Sequence, residues 1–271
     1  MKIAVSGKGG VGKTSVAAGL VLLFTKQGKK VIAIDADPDA NLAATLGFSS
    51  SERPAPISEL KKLILERTGE VGAFFKLNPK VDDIPDKFSA KRGNVILMEM
   101  GTVKRGGSGC VCPESAFLKA LLSHIFLNRD EVVIVDMEAG IEHLGRGTAQ
   151  SVEKFLIVVE PNNTSVDTAK KIKQLAEGLS IKDISIIGNK VRSEEDKDFI
   201  KENLNGISIN GYIDFDESLL SSRGILPEDS DFMEDLTKLF STSLEQYSSS
   251  EARRAESRSI KRRNIDGKTN G

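Results

Sequence analysis

The segment GKGGVGKT at residues 7–14 constrains the fold most strongly. It fits the pattern G-x-x-x-x-G-K-[ST], and it lies between a short apolar strand pattern at residues 2–6 and a helical pattern at residues 15–28. Its glycines allow backbone conformations that turn successive N–H groups toward a phosphate, and the helix N-terminus adds partial positive charge there. The sequence therefore predicts a phosphate-binding loop in an α/β domain.

The loop pattern also assigns roles to individual residues. Lys13 is expected to reach the β- and γ-phosphates of ATP, and the Thr14 hydroxyl is expected to bind Mg²⁺. Further contacts to the nucleotide are assigned to the neighbouring residues Gly9, Gly10, Val11, Gly12 and Ser15. We therefore expect ATP or ADP with Mg²⁺ as the cofactors.

Short apolar runs alternate with helical patterns along the chain. Predicted strands cover residues 2–6, 29–37, 94–101, 131–140, 154–161, 184–191 and 209–215, and predicted helices include 15–28, 114–128 and 166–179. This alternation requires right-handed crossovers, and runs such as VVIV are apolar on both faces, as in strands that helices cover. We predict a single P-loop NTPase domain over residues 1–245, with a mostly parallel, doubly wound sheet and helices on both faces.

Two regions depart from this alternation. Residues 50–93 contain four of the eight prolines and no long apolar run, which indicates an insertion-like surface region with a short helix near residues 57–68. Residues 246–271 form a basic, polar tail with little to bury, which predicts disorder.

Composition and charge limit the cellular locations and the binding partners that we expect for the protein. The formal net charge of −1 gives no general bias toward nucleic acid or anionic membranes. The N-terminus lacks the pattern of a signal peptide, and no run approaches the ~18–20 apolar residues of a membrane span. We expect a cytoplasmic protein that binds neither membrane nor specific nucleic acid.

A carboxylate candidate follows a buried strand. Asp136 comes directly after the apolar residues of EVVIV, which is the position of a Walker B aspartate. Because the carboxyl ends of parallel strands meet at the ligand-binding edge of the sheet, Asp136 is expected to act on the nucleotide through Mg²⁺.

The chain has only two cysteines, Cys110 and Cys112, in the loop KRGGSGCVCPES at residues 104–115. In extended chain, residues two apart point to the same side with Cα atoms about 6–7 Å apart, so both sulfurs can bind one ion. Two thiolates form half of a tetrahedral site, and a twofold axis would bring the other half. Thiolates favour Zn²⁺, Cu(I) or iron–sulfur species, and tetragonal geometry suits Ni²⁺. The alternative is a pair of small buried apolar side chains.

The phosphate loop resembles that of the deviant-Walker-A ATPases, which carry K-G-G-x-G-K-[ST] and include MinD, ParA and the nitrogenase iron protein. The resemblance implies that Lys8 crosses a homodimer interface to the partner's nucleotide. The segment DADPDANL at 35–42 is similar to switch I of the group, which implies that Asp37 orients the attacking water. IIGNKV at 186–191 is similar to the group's N-K-x segment, which implies that Asn189 reads the adenine edge. Asp214 stands where the group usually has proline.

The segments LNPKVDDIPDKF, MGTVKRGGSGCVCPES and AGIEHLGRGTA resemble the CooC-type ATPases, which mature the nickel site of carbon monoxide dehydrogenase. The resemblance implies ATP- and metal-dependent dimerisation, with Ni²⁺ or Zn²⁺ held by paired C-x-C motifs and carbon monoxide dehydrogenase as client. Nickel insertion into acetyl-CoA synthase shares these motifs and stays open. A MinD- or ParA-like positioning ATPase on membrane or DNA is the other alternative, but it gives the C-x-C motif no role.

Overall fold

The computed structural model describes residues 1–69, 76–102, 113–140, 144 and 146–245. Its strands are β1 (Lys2–Gly7), β2 (Val31–Ala36), β3 (Ala90–Arg92), β4 (Val95–Glu99), β5 (Val132–Met137), β6 (Lys154–Val159), β7 (Ile184–Val191) and β8 (Ser208–Asp214). Its helices are α1 (Lys13–Lys26), α2 (Leu42–Thr45), α3 (Lys61–Thr68), α4 (Ile84–Lys87), α5 (Pro113–Asn128), α6 (Arg146–Ala149), α7 (Asn163–Gly178), α8 (Glu194–Asn203) and α9 (Ser218–Ser221). A helix over residues 231–245, α10, follows, and a 3-10 turn at Ile57–Glu59 precedes α3.

The strands form one eight-stranded sheet in the order β3-β4-β2-β5-β1-β6-β7-β8. All neighbouring pairs are parallel except β3 and β4, which are antiparallel. The chain moves from β1 to one side of the sheet and later, with β6, to the other side, so the strand order switches beside β1. The carboxyl edge next to such a switch is where open α/β sheets bind ligands. The predicted fold class is confirmed.

Side-chain alternation along the central strands explains the two hydrophobic cores. On β5, Val133 and Val135 pack in the core under α5 and α7, whereas Val132 and Ile134 pack in the core under α1. Successive side chains of a strand point to opposite faces, so a strand that helices cover on both sides must be apolar throughout. The apolar run VVIV therefore correctly predicts a strand that is buried on both faces.

The region of residues 50–93, predicted as a surface insertion, contributes more to the core than expected. It supplies α3, α4 and the antiparallel edge strand β3. Four of its apolar side chains, Ile57, Ile64, Val81 and Ile84, are buried. They are separated in sequence by charged residues, so no apolar run marks them.

Among the described residues, no helix is long and apolar enough to cross a membrane.

Candidate active site

The phosphate loop connects β1 to α1 at the carboxyl edge of the sheet. Gly10 and Gly12 have φ values of 84° and 95°, in the left-handed region that favours glycine. At Gly12 a side chain would also collide with the amide group of Asn189. The first turn of α1 forms directly after this residue, because the N–H of Val16 donates to the carbonyl of Gly12 at 3.0 Å. The first backbone N–H groups of α1 therefore lie beside the loop, where a phosphate binds in this arrangement.

Thr14 and Asp136 form a direct contact across this site. The Thr14 hydroxyl donates to Oδ2 of Asp136 at 2.6 Å. Asp136 is fully buried, and its other oxygen, Oδ1, has no hydrogen-bond partner among the described residues. Burial raises the pKa of Asp136 to about 7, although the hydroxyl of Thr14 opposes this shift. A hydroxyl beside a carboxylate oxygen without a partner is the oxygen donor set that suits Mg²⁺.

Lys13 and Asp37 form an ion pair on the other side of the loop. Lys13 Nζ lies 3.4 Å from Asp37 Oδ2, and the side chains are 7% and 18% exposed. Asp37 follows β2, whose penultimate residue, Asp35, is fully buried. Asp35 accepts hydrogen bonds from the N–H groups of Asp37 at 3.1 Å and Leu42 at 2.8 Å. Asp35 therefore shapes the loop that carries Asp37, and burial raises the pKa of Asp35 to about 6.

Two neighbouring residues of β7 hold the phosphate loop from its far side. Asn189 donates through Nδ2 to the carbonyl of Val11 at 2.7 Å. Lys190 donates through Nζ to the carbonyl of Gly10 at 2.6 Å and pairs with Glu160 at 3.2 Å. Lys190 has a φ of 58°, which is uncommon for a residue with a side chain. Sequence reasoning missed Lys190 and Glu160. The N-K pair at the end of a strand pattern is the signal that points to Lys190.

The predicted residues of the nucleotide site meet at one edge of the sheet. This set comprises Lys8, Gly9, Gly10, Val11, Gly12, Lys13, Thr14, Ser15, Asp37, Asp136 and Asn189. The reading of adenine by Asn189 stays a prediction, because the contact described above is to the loop itself. Asp214 ends β8, and its backbone N–H donates to Asp235 at 3.2 Å.

The predicted metal ligands Cys110 and Cys112 lie outside the described residues. Within the described ranges, no group of three or more His, Cys, Asp or Glu side chains could hold a metal ion. The described chain leaves the sheet after Glu99, continues to Thr102 and resumes at Pro113, where α5 begins.

A phosphate loop, a buried carboxylate bonded to its threonine and a parallel sheet together define a P-loop ATPase. The family model of the CobQ/CobB/MinD/ParA nucleotide binding domain matches residues 2–236, and the chain belongs to this family. MinD of Pyrococcus horikoshii, solved as a complex with Mg-ADP, has the same fold, with a TM-score of 0.61 at 20% identity. That match covers 88% of this chain and 92% of the solved chain.

Two relatives place the chain more narrowly. An uncharacterized ATP-binding protein of Methanocaldococcus jannaschii is 51% identical over 229 residues, which are 82% of this chain and 88% of that protein. The carbon monoxide dehydrogenase accessory protein CooC of Rhodospirillum rubrum is 47% identical over 224 residues, which are 81% of this chain and 85% of that protein. The resemblance to CooC-type ATPases is confirmed, and the chain is an ATPase.

Proposed function

We propose that this ATPase is a nickel-insertion factor for the metal cluster of carbon monoxide dehydrogenase, and that it works by ATP- and metal-dependent dimerisation. The observation that carries the proposal is the 47% identity to the accessory protein CooC over most of both chains. The C-x-C motif at Cys110 and Cys112 adds a pair of soft ligands of the kind that bind Ni²⁺ or Zn²⁺.

The nucleotide site supports Mg²⁺-dependent ATP hydrolysis. Thr14 and Asp136 would hold Mg²⁺, because their oxygens are in contact and one carboxylate oxygen has no partner among the described residues. When bound, the ion supplies positive charge next to the phosphates. The backbone N–H groups from Gly10 to Thr14 bind and orient the phosphate chain, and Lys13 neutralises the charge that develops on the γ-phosphate.

The ion pair of Lys13 and Asp37 suggests how the site changes when ATP enters. A phosphate that binds Lys13 competes with Asp37 for the same ammonium group, 3.4 Å from the carboxylate. Asp37 is then free to accept a hydrogen bond from the attacking water and to orient it. The hydrogen bond from its backbone N–H to Asp35 limits this movement, so the carboxylate and the loop that carries it are expected to shift together by a small amount.

The partner subunit is required for both the nucleotide and the cargo metal. Lys8 lies in the phosphate loop and is partly exposed. In the proposed dimer it contacts the nucleotide of the second copy, so ATP favours association. Cys110 and Cys112 of both copies then supply four thiolates for one nickel ion, which is the substrate of the reaction. Because ATP and metal both favour the dimer, each is expected to raise the affinity for the other.

Metal titration with gel filtration tests this proposal. The full chain is titrated with Ni²⁺ in the presence of ADP or of a non-hydrolysable ATP analogue, and the subunit state is measured at each step. We expect one tightly bound ion per dimer, loss of that ion in Cys112→Ser, and loss of ATP-dependent dimerisation in Lys8→Ala with nucleotide affinity retained. Lys26→Ala, an exposed lysine at the end of α1, is the matched control.

Other outcomes decide against the proposal. Unchanged nickel affinity in Cys112→Ser would exclude the thiolate site. Activation of nickel-free acetyl-CoA synthase, but not of nickel-free carbon monoxide dehydrogenase, would assign the sister activity. Negligible metal affinity together with binding to DNA or anionic vesicles would indicate a positioning ATPase instead.

A further inference from the structure

Arg53 connects the loop that carries Asp37 to strand β4. Its Nη2 donates to the carbonyl of Ala40 at 3.0 Å, and its Nε donates to Oε1 of Glu99 at 2.9 Å. Arg53 is 34% exposed, whereas Glu99 is only 5% exposed. One guanidinium group therefore holds both the loop of residues 37–41 and the last residue of a sheet strand. Its planar geometry allows both bonds at once, which an ammonium group would not reproduce.

Glu99 lies in a row of carboxylates at the carboxyl edge. It pairs in register with Asp35 on β2, and Asp35 pairs in register with Asp136 on β5. All three residues are buried. Each has a different partner: Arg53 for Glu99, backbone N–H groups for Asp35 and the Thr14 hydroxyl for Asp136. The Arg53–Glu99 pair is therefore a lateral extension of the nucleotide site, two strands away from Asp136.

The chain that follows Arg53 also holds the residues after β4. We call residues 53–58 the bridging segment. The N–H of Ser58 donates to the carbonyl of Met100 at 3.0 Å, and the N–H of Met100 donates to the carbonyl of Asp35 at 2.8 Å. Gly101 has a φ of 72°, and a Cβ at this position would lie 2.8 Å from Cβ of Pro56 and collide with the Ser58 hydroxyl. Only glycine fits this close approach, so Gly101 packs directly against the bridging segment.

We propose that Arg53 and Glu99 are positioning residues that couple the loop of residues 37–41 to Met100 and Gly101, and through them to the chain that carries the two cysteines. The coupling to metal rests on the proposed function. A nucleotide that takes Lys13 from Asp37 displaces this loop, and the carbonyl of Ala40 transmits the displacement to Arg53. Because the bridging segment also holds Met100 and Gly101, these two residues have to move together with the loop of residues 37–41.

A positioning role makes a specific kinetic prediction. Arg53→Met keeps the aliphatic stem but removes both hydrogen bonds, so Asp37 is held less firmly while the phosphate loop is intact. We expect kcat for ATP hydrolysis to fall about tenfold and KM to stay within twofold, since misplacement by a fraction of an ångström affects the reacting geometry more than binding. Glu99→Gln in the Arg53→Met background should add little further loss, because the two residues act as a unit.

Arg67 provides a matched control. It lies in the same region of the chain and pairs with Asp83 through both terminal nitrogens, at 3.1 and 2.9 Å, without contacting residues 37–41. Arg67→Met should leave kcat unchanged. Equal losses in both arginine variants, or a wild-type kcat in Arg53→Met, would overturn the positioning role. If Arg53→Met does not fold, Arg53→Lys replaces it, and the expected result is then a smaller loss of kcat at unchanged KM.

Metal affinity tests the coupling separately. Ni²⁺ affinity of the full chain is measured with the ATP analogue and with ADP, and the ratio is compared between wild type and Arg53→Met. We expect the ratio to approach one in the variant. An undiminished ratio in the variant would overturn the coupling. A ratio of one in wild type would contradict the proposed function and the coupling to metal together, whereas the kinetic comparison with Arg67→Met would still decide the positioning role.

Discussion

The amino and carboxyl edges of the sheet differ in how completely their buried charged groups are hydrogen-bonded. At the amino edge, Lys2 is 7% exposed, and its Nζ donates to the carbonyls of Arg129 at 2.6 Å and Glu131 at 3.0 Å. At the carboxyl edge, Asp136 is fully buried, and one of its oxygens has no partner among the described residues. The first charge is satisfied within the chain, whereas the second is satisfied only in part.

Burial lowers the pKa of Lys2 as well, but one carboxyl group at each edge shows the difference between the edges. Burial alone would raise the pKa of Glu131, but the hydrogen bond from Arg129, a backbone hydrogen bond and the positive charges of Arg129 and Lys2 together lower it. The pKa of Asp136 is raised to about 7 because burial outweighs its single hydrogen bond. A buried carboxylate with few hydrogen bonds is poorly stabilised as an anion, so a cation that binds next to it gains more free energy. The carboxyl edge therefore favours ligand binding at the expense of stability.

The largest expected effect comes from removing the charge of Asp136. Asp136→Asn keeps the shape and a hydrogen-bond acceptor for Thr14 but removes the anionic oxygen assigned to Mg²⁺. We expect kcat for ATP hydrolysis to fall by about 100-fold or more, the scale of losing one preorganised electrostatic contact. The measurement is steady-state hydrolysis at saturating Mg²⁺. Hydrolysis within threefold of wild type would contradict the assigned role.

The same variant should be more stable than wild type when nucleotide is absent. The folded-state pKa of about 7 lies above the ordinary value of 3.8, so between these values the folded chain holds a proton that the unfolded chain has released. The free energy of unfolding therefore falls as pH rises from about 4 to 7. Thermal melts of nucleotide-free protein at pH 5.5 and pH 8 should show this decline in wild type and a shallower one in Asp136→Asn. Asp35, with a pKa of about 6, accounts for part of the remaining slope.

The next prediction concerns the amino edge and is intermediate in size. Lys2→Met keeps the length of the side chain but removes the Nζ donor from two carbonyls in a partly buried site, which costs about 1–3 kcal/mol. The melting temperature should fall by several degrees, at roughly 2–4 °C per kcal/mol for a large domain. Hydrolysis measured well below the melting temperature should stay within twofold of wild type. Lys26→Met, at an exposed ion pair, is the control. A loss of kcat without a change in melting temperature would show that the two edges are not independent.

The sequence predicted the carboxyl edge far better than the amino edge. The motifs at the carboxyl edge are local. The apolar run that ends in Asp136 and the glycines that precede Lys13 each indicate a local structure and a functional residue within a few positions. At the amino edge, Lys2 is an ordinary polar residue at the start of a strand. Its role depends on carbonyls of Arg129 and Glu131, more than 120 residues away, and no local pattern contains that information.

The same reason explains the other omissions. The contact between Arg53 and Glu99 joins residues 46 positions apart. Helix α10 was not predicted, although its buried side chains Phe232, Leu236 and Phe240 belong to the same core as α1. Its apolar residues follow a helical period but are interspersed with charges, so their burial depends on where the rest of the chain places α1.

The smallest expected effect separates the two edges by the sign of their pH dependence. The pKa of Glu131 is lowered below its ordinary value of 4.5, so its contribution to stability is present above that value and is lost as pH falls through the folded-state pKa. Glu131→Gln should therefore lower the free energy of unfolding by about 1 kcal/mol or less at pH 7, since the side chain is 17% exposed and Arg129 keeps its contact with Asp86. The difference between wild type and Glu131→Gln should shrink as pH falls below 4.5, whereas the gain in Asp136→Asn should grow as pH rises from about 4 to 7 and level off above that. Parallel melts of both variants at matched pH measure this directly, and equal signs would remove the distinction between the two edges.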